Sequence, residues 1–447
     1  MKKILLFVFM TAAVTLLMSS CGSNNNPAVT TTASNATFNT GDATNDQILK
    51  FELTISSATL TGSGGTANTP NLLTKPTEVE FVHEAGIFEP LAVLNIPPGT
   101  YSGATLSVSN PEVVVINNGA PTKVPATLSS STITVTFNPA LTISKSNSVV
   151  VNFDLNLATS VTLNGNPVTS ATVAPTFNVT TSTVRGGEDE GDDQGEIDDT
   201  HGKVTAVNAP NFTIQTNQSS ITFATDSNTQ FKDGITSLSN LAVGAIVEVD
   251  ATSETDGTKL ATKVALEEDG NNSEELEGII TAVTGSPATQ ITIAHQLDSE
   301  GTANAPVTVD AAINSNTQFT IRPDRLQQSS LPAFDASHIG KGQRVETDTP
   351  SNTSTPVVAD RIKLREQALV GTVASTPAPS ATGFTLNLST TSAFGNLTGQ
   401  TSIPVSIVNG TNQKVTPTAG ATIRVRGLVF VNAGSYTMVA VRIDDNQ

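Results

Sequence analysis

Three stretches of this chain repeat the same ordered set of elements, and that repetition constrains its fold more than any other feature. The pentapeptide SNTQF occurs at 227–231 and again at 315–319. It belongs to a longer series. GKVTAV, GIITAV and GTVAST begin at Gly202, Gly278 and Gly371. After a short gap come FTIQ at Phe212, ITIA at Ile291 and FTLN at Phe384. Next is the Asn-Thr element, present twice as SNTQF and once as the divergent GTNQKV at 410–415. A glycine then precedes a strand: Gly244 in VGAIVEVDA, Gly342 in KGQRVETDT and Gly420 in AGATIRVRG. Each segment closes alike, with LATKVAL, VADRIKL and MVAVRID aligning Ala261, Ala359 and Ala440, and the cations Lys263, Arg361 and Arg442. Five correspondences in the same order predict three copies of one unit, at 202–268, 277–366 and 369–445.

Each unit holds five or six short apolar–polar alternations of β-branched residues, the pattern of half-buried strands. A unit of that size suits a small barrel whose closure removes exposed sheet edges. The glycine before the fourth strand predicts a tight turn. The SNTQF element reads as architectural: Asn and Thr side chains bond nearby backbone, and Phe231 and Phe319 plug the core. The second copy carries an insertion, TIRPDRLQQSSLPAFDASHIG, expected to form a helical turn and a surface loop. The units resemble a bacterial domain of unknown function repeated in secreted and lipoprotein chains. Its pattern has an oligonucleotide/oligosaccharide-barrel character, and the resemblance implies no catalytic residues.

Upstream, residues 47–184 hold further strands, among them ILKFELTISSATL, STITVTF and SVVVNFDLNL. Turn signals between them predict a β-sandwich. Leu94, Ile96, Pro97, Gly99, Tyr101 and Leu106 form an L-x-I-P-P-G-x-Y-x-x-x-x-L pattern. This resembles a transthyretin-like domain of unknown function found near the N-terminus of bacterial surface lipoproteins. Tyr101 is expected as a buried strand residue. The whole is thus expected to be all-β: a sandwich followed by three barrel-like repeats.

The N-terminus begins MKKILLFVFMTAAVTLLMSSCGS. Lys2 and Lys3 precede an apolar run too short to cross a bilayer comfortably, and Ser19 and Ser20 precede the single cysteine, Cys21. Residues 1–20 resemble a bacterial lipoprotein signal peptide, with Met18 where leucine is usual. That resemblance implies cleavage before Cys21, lipidation of its sulfur, and, with Gly22 next, residence at the outer membrane of a Gram-negative cell. Residues 21–46, polar and without apolar period, are expected to form a disordered tether. Residues 185–201, RGGEDEGDDQGEIDDTH, read as an acidic linker that keeps sandwich and first barrel independent. An EF-hand register from Glu190 places Gly195 and Ile197 suitably, but Glu190 stands at the first ligand and His201 at the last, so calcium binding is the lesser reading.

The chain carries 40 acidic against 22 basic residues, net −18, which opposes nucleic-acid binding. It has no Trp and two Tyr, which disfavours aromatic sugar platforms. Its four histidines, His83, His201, His295 and His338, fall in separate segments without zinc-ligand spacing. Asp154 and Asp250 lie on predicted strands and are expected to face outward. No catalytic, cofactor or metal residue is singled out. The expectation is a non-enzymatic, lipid-anchored envelope protein of structural or binding role, the alternative being a polysaccharide-binding lipoprotein that assists a hydrolase or uptake system.

Overall fold

The computed structural model describes residues 34–43, 47–82, 89–144, 149–183, 196–216, 219–268, 273–298, 307–321, 326, 331–350 and 356–445. Among them helix is confined to Leu157–Ser160, Ala393–Thr398 and a 3-10 turn at Leu238–Asn240; the rest of the regular structure is strand. Residues from Ala33 onward form one compact unit.

The sandwich comes first. One sheet has the order 177–183, 149–156, 34–43, 89–96. A second has the order 77–80, 48–63, 99–117, 120–124, with 132–143 also on 99–117, and a small third sheet has the order 161–164, 170–173, 126–128. Phe51, Leu53 and Ile55 alternate inward as expected, against Leu106, Val113 and Val151. A run of ring contacts, Phe38–Phe153, Phe153–Phe177, Phe177–Phe81 and Phe81–Phe51, all at 6.0–6.4 Å, ties the two sheets together. Tyr101 is buried and its hydroxyl donates to the Pro97 carbonyl at 2.9 Å, so the tyrosine closes the turn that its own motif opens.

The expected tether at 21–46 needs correction over part of its length. Ser34–Ala43 is a strand, parallel to 149–156 and antiparallel to 89–96, filling the middle of the first sheet. Ala36 and Phe38 alternate into the core, and two apolar residues at that spacing suffice because neighbouring strands supply both ladders. The acidic linker is shorter than expected as well. Glu196–Asn208 is one strand, anchored where Ile197, fully buried, pairs with Ala251. The rest of the charge run, including Glu190, lies outside the described residues.

All three repeats fold alike. In the first, the strands run 220–224, 211–215, 196–208, 246–253, 259–268, and Ala224 pairs in parallel with Leu260 to close the barrel. The third repeats this order with 402–406, 383–388, 367–373, 422–432 and 435–445, closed at Val405↔Met438. The second closes at Ala311↔Val357. Strand one thus pairs with two and four, and three pairs in parallel with five. This is the five-stranded Greek-key barrel of oligonucleotide/oligosaccharide-binding type.

The equivalent glycines behave equivalently. Gly244, Gly342 and Gly420 all have positive φ (100°, 82° and 84°), and each N–H donates to strand one, at Val204, Ile280 and Val373. The SNTQF element has an equally definite role. Strand five leaves strand three and then pairs in parallel with the Asn-Thr segment, at Gln230↔Lys263, Gln318↔Arg361 and Asn412↔Arg442. Between these two pairings stands the aligned alanine. The Oγ1 of Thr229, Thr317 and Thr411 donates to the carbonyl of Ala261, Ala359 and Ala440 at 2.7, 2.8 and 2.7 Å. The same hydroxyl accepts from the backbone N–H of Asp226, Asn314 and Val408. One threonine therefore satisfies two backbone groups where the ladder changes partner. Phe231 and Phe319 are half-buried against the cores rather than central to them.

A Thr229→Val substitution keeps the shape and removes both bonds. It is expected to cost about 1–3 kcal/mol, because the Ala261 carbonyl then stays buried without a donor. Denaturant unfolding should show the same loss for Thr317→Val and Thr411→Val; no loss at any of the three would show the clamp to be incidental.

The insertion in the second copy is not simply a surface loop. Leu326, Phe334 and Ile339 are buried in the second core, and Phe334 meets Phe319 edge-on at 5.8 Å. Its apolar residues had no place in an exposed loop.

Candidate functional site

Strand alternation sends Val247, Val249 and Ala251 into the first barrel and turns Glu248 and Asp250 outward. Asp250 keeps that outward position and pairs with a lysine of its own barrel, whereas its neighbour Glu248 is reached by Arg365 of the second barrel. Glu248 and Glu346 are fully buried, and Lys363, at 1% exposed, lies beside Glu346.

These residues form one ionic seam. Within the first barrel Lys263 pairs with Glu248 at 2.7 Å and with Asp250 at 2.6 Å. Within the second, Lys363 pairs with Glu346, its cross-strand neighbour. The two barrels are then joined: Arg365 reaches Glu248 at 3.0 Å, and Lys363 reaches Glu267 at 3.2 Å. Arg365 also approaches Glu277 and Glu346, while Arg344 binds Glu277 at 2.8 Å. Toward the third barrel, the Arg344 N–H donates to Gln367 Oε1 at 2.8 Å, and Arg426 pairs with Glu366 at 3.2 Å.

The polarity reverses in the third copy. Where the second copy sets Glu346 on strand four opposite Lys363 on strand five, the third sets Arg424 opposite Asp444, 2.7 Å apart. Arg424 lies within electrostatic reach of Asp154 on the sandwich. Burial pushes the Asp154 carboxyl up to about 6; Arg424 opposes the rise and Asp444 adds to it. Asp154 therefore occupies a module contact, whereas Asp250 pairs with Lys263 of its own barrel.

Apolar packing accompanies the charges. Leu428, Phe430, Val439 and Val441 of the third barrel enter the core of the second, while Val429, Met438 and Ala440 fill their own. The Gln343 side chain donates to the Val429 carbonyl at 3.0 Å, and Tyr436 donates to the Lys341 carbonyl at 3.0 Å. Leu49 and Val114 of the sandwich pack on Ala294 of the second barrel. A cleft of about 70 Å³ opens where sandwich, second and third barrels meet, lined by Leu49, Ile279, Arg344, Leu369 and Phe394 among others.

Chemically, the seam sets each acid against one or more cations between modules. Such an arrangement fixes orientation. Of the histidines, His338 binds Asp335 at 2.8 Å near the surface, His201 is exposed on strand one, and His295 lies on strand two of the second barrel. His83 and Cys21 lie outside the described residues. Among those described, no helix is long and apolar enough to cross a membrane, and no three His, Cys, Asp or Glu side chains gather as a metal site.

Sequence reasoning missed the seam, though a signal was present. LVFVN at 428–432 abandons alternation for a continuous apolar run, which marks a strand buried on both faces. Rows of charge on strands four and five sit beside it.

Comparison with known proteins gives a partial match. Residues 201–265, the first barrel, match a family described as a domain of unknown function, DUF5666. No curated protein matches. Two solved structures align. One is the CSD456 segment of Drosophila Unr, 15% identical over 55% of this chain and 96% of that one, with a TM-score of 0.14. The other is a multidomain protein with nucleic acid binding domains from Streptococcus pneumoniae, 12% identical over 54% of this chain and 71% of that one, with a TM-score of 0.12.

Proposed function

We propose that this protein is a lipid-anchored component of the bacterial cell envelope with a non-enzymatic, structural or binding role. Its chain carries Lys2, Lys3, a short apolar run and a small-residue approach to Cys21, the features by which it resembles a bacterial lipoprotein signal peptide. Cys21 would hold the protein at the outer membrane, with the transthyretin-like sandwich following it in the chain. The observation that carries the structural role is the seam itself. It uses outward strand positions, which in an independent barrel would meet water, to lock successive modules together. A fixed array of this kind suits a spacer or a contact surface.

Fractionation tests the anchor. Cys21→Ala is expected to move the protein from membrane to soluble fractions, and metabolic labelling with a fatty acid should fail in the same variant. Unchanged membrane retention would refute lipid anchoring.

Barrel topology favours one further reading, a polysaccharide-binding lipoprotein that assists a hydrolase or uptake system. Barrels of this type present strands two and three, with the loops beside them, to oligosaccharides or oligonucleotides. A net charge of −18 opposes the polyanion and leaves the sugar. Saturable binding to one glycan class on an array would promote this reading, and uniform absence of binding would discard it.

A further inference from the structure

Three glutamates stand in one cross-strand row on the sandwich. Glu52 is in register with Glu80 on one side and Glu112 on the other. Like charges directly opposite one another destabilise a sheet, so the row needs an explanation. The partners of its two ends are definite. Glu80 Oε1 accepts from the backbone N–H groups of Phe51 at 2.8 Å and Val82 at 3.2 Å, which favour its ionised form. Glu112 lies between two lysines, in contact with Lys123 and 3.8 Å from Lys50. Glu52, between them, shares Lys50 at 2.7 Å and is 9% exposed. Glu78 adds a further negative charge from the edge strand. Beside this row, on the same face, Lys50 stands opposite Val114, which with Leu49 packs on Ala294 of the second barrel, near the partly buried Ile279 and Val307. The second-barrel residues described at this contact, Ala294, Ile279 and Val307, are apolar.

We propose that Glu52 is a proton-binding site that secures this sheet and its contact with the second barrel while protonated, and loosens both when it ionises between Glu80 and Glu112. Burial is the largest influence on Glu52 and pushes its carboxyl up to about 8; Lys50 opposes this, and Glu80 and Glu78 reinforce it. The sign follows. A carboxyl with an ordinary value near 4.5 when hydrated and about 8 when folded favours the folded arrangement fully below the first value. That advantage falls as pH rises between the two and is gone above the second. Asp154 titrates in part of the same range, but against Arg424 and Asp444 of the third barrel, at a separate contact.

Hydrogen exchange of the full mature chain, followed by mass spectrometry at fixed ionic strength, tests the proposal. Protection factors for 48–53 and 112–116 are expected to fall by up to about tenfold per pH unit from pH 5 to 8 and then level off. In Glu52→Gln, which cannot ionise, they should stay flat. Carboxyl-carbon NMR, with Glu52 assigned by the same variant, should place its titration in the alkaline range. A Glu52 titrating below pH 6, or the same loss of protection in Glu52→Gln, would overturn the proposal. Should Glu52→Gln fold poorly, the wild-type titration decides alone.

Discussion

Replacing Arg365 with methionine is expected to cost about 3–5 kcal/mol, the usual penalty when one partner of a buried ion pair is removed. Arg365 is 6% exposed and serves Glu248 of the first barrel along with Glu277 and Glu346 of the second. Its loss leaves three buried carboxylates short of one cation, and they can relax only by taking up protons or admitting water. For a unit of this size the thermal midpoint should drop by roughly 5 °C. The drop should be larger at pH 8 than at pH 5, because protonation relieves the stranded acids. Exposed ion pairs contribute about 0–1 kcal/mol. A change within that range, independent of pH, would therefore mean that the seam is hydrated and that the barrels are held by their apolar contacts alone.

The repeat, its glycines and its alanines were all legible in the sequence, because each answers to a backbone need that recurs in every copy. Gly244, Gly342 and Gly420 turn the chain, and Thr229, Thr317 and Thr411 hold the alanine carbonyl. Side-chain period gives the barrel interior directly, since Val247 and Val249 point in and Glu248 and Asp250 point out. Period says nothing about what lies beyond the outer face. Glu248 was therefore indistinguishable from a solvated residue until Arg365, 117 positions later, was found against it. The strand at Ser34–Ala43 escaped for a similar reason: with Ala36 and Phe38 as its inward residues, it draws its order from partners at 89–96 and 149–156. Contacts set by tertiary neighbours leave little local trace. The exception is LVFVN, whose lost alternation recorded that both of its faces are covered.

Gly278→Ala is expected to be the most damaging single-methyl addition in the repeats. A Cβ at Gly278 would lie 1.9 Å from the Ala294 carbonyl oxygen, and no side-chain rotation relieves a clash between two backbones. Strand one must separate from strand two, disturbing the ladder around Gly278↔His295 and, beside it, Glu277, which holds Arg344. The cost should reach about 3–5 kcal/mol, within the range for strain at a packed backbone site. Equivalent glycines provide an internal scale. At Gly371 the added carbon would be 2.3 Å from the Asn387 carbonyl oxygen, and at Gly202 it would be 3.0 Å from that of Gln215, with the flexible end of Ile214 nearby. Gly371→Ala should therefore approach Gly278→Ala in severity, whereas Gly202→Ala should be milder, because a small shift of Ile214 opens most of the space. Denaturant unfolding of the three variants checks the order. Equal losses would mean that the glycine is required for its flexibility in all copies alike, and a Gly202→Ala more damaging than Gly278→Ala would contradict the close strand approach as the cause.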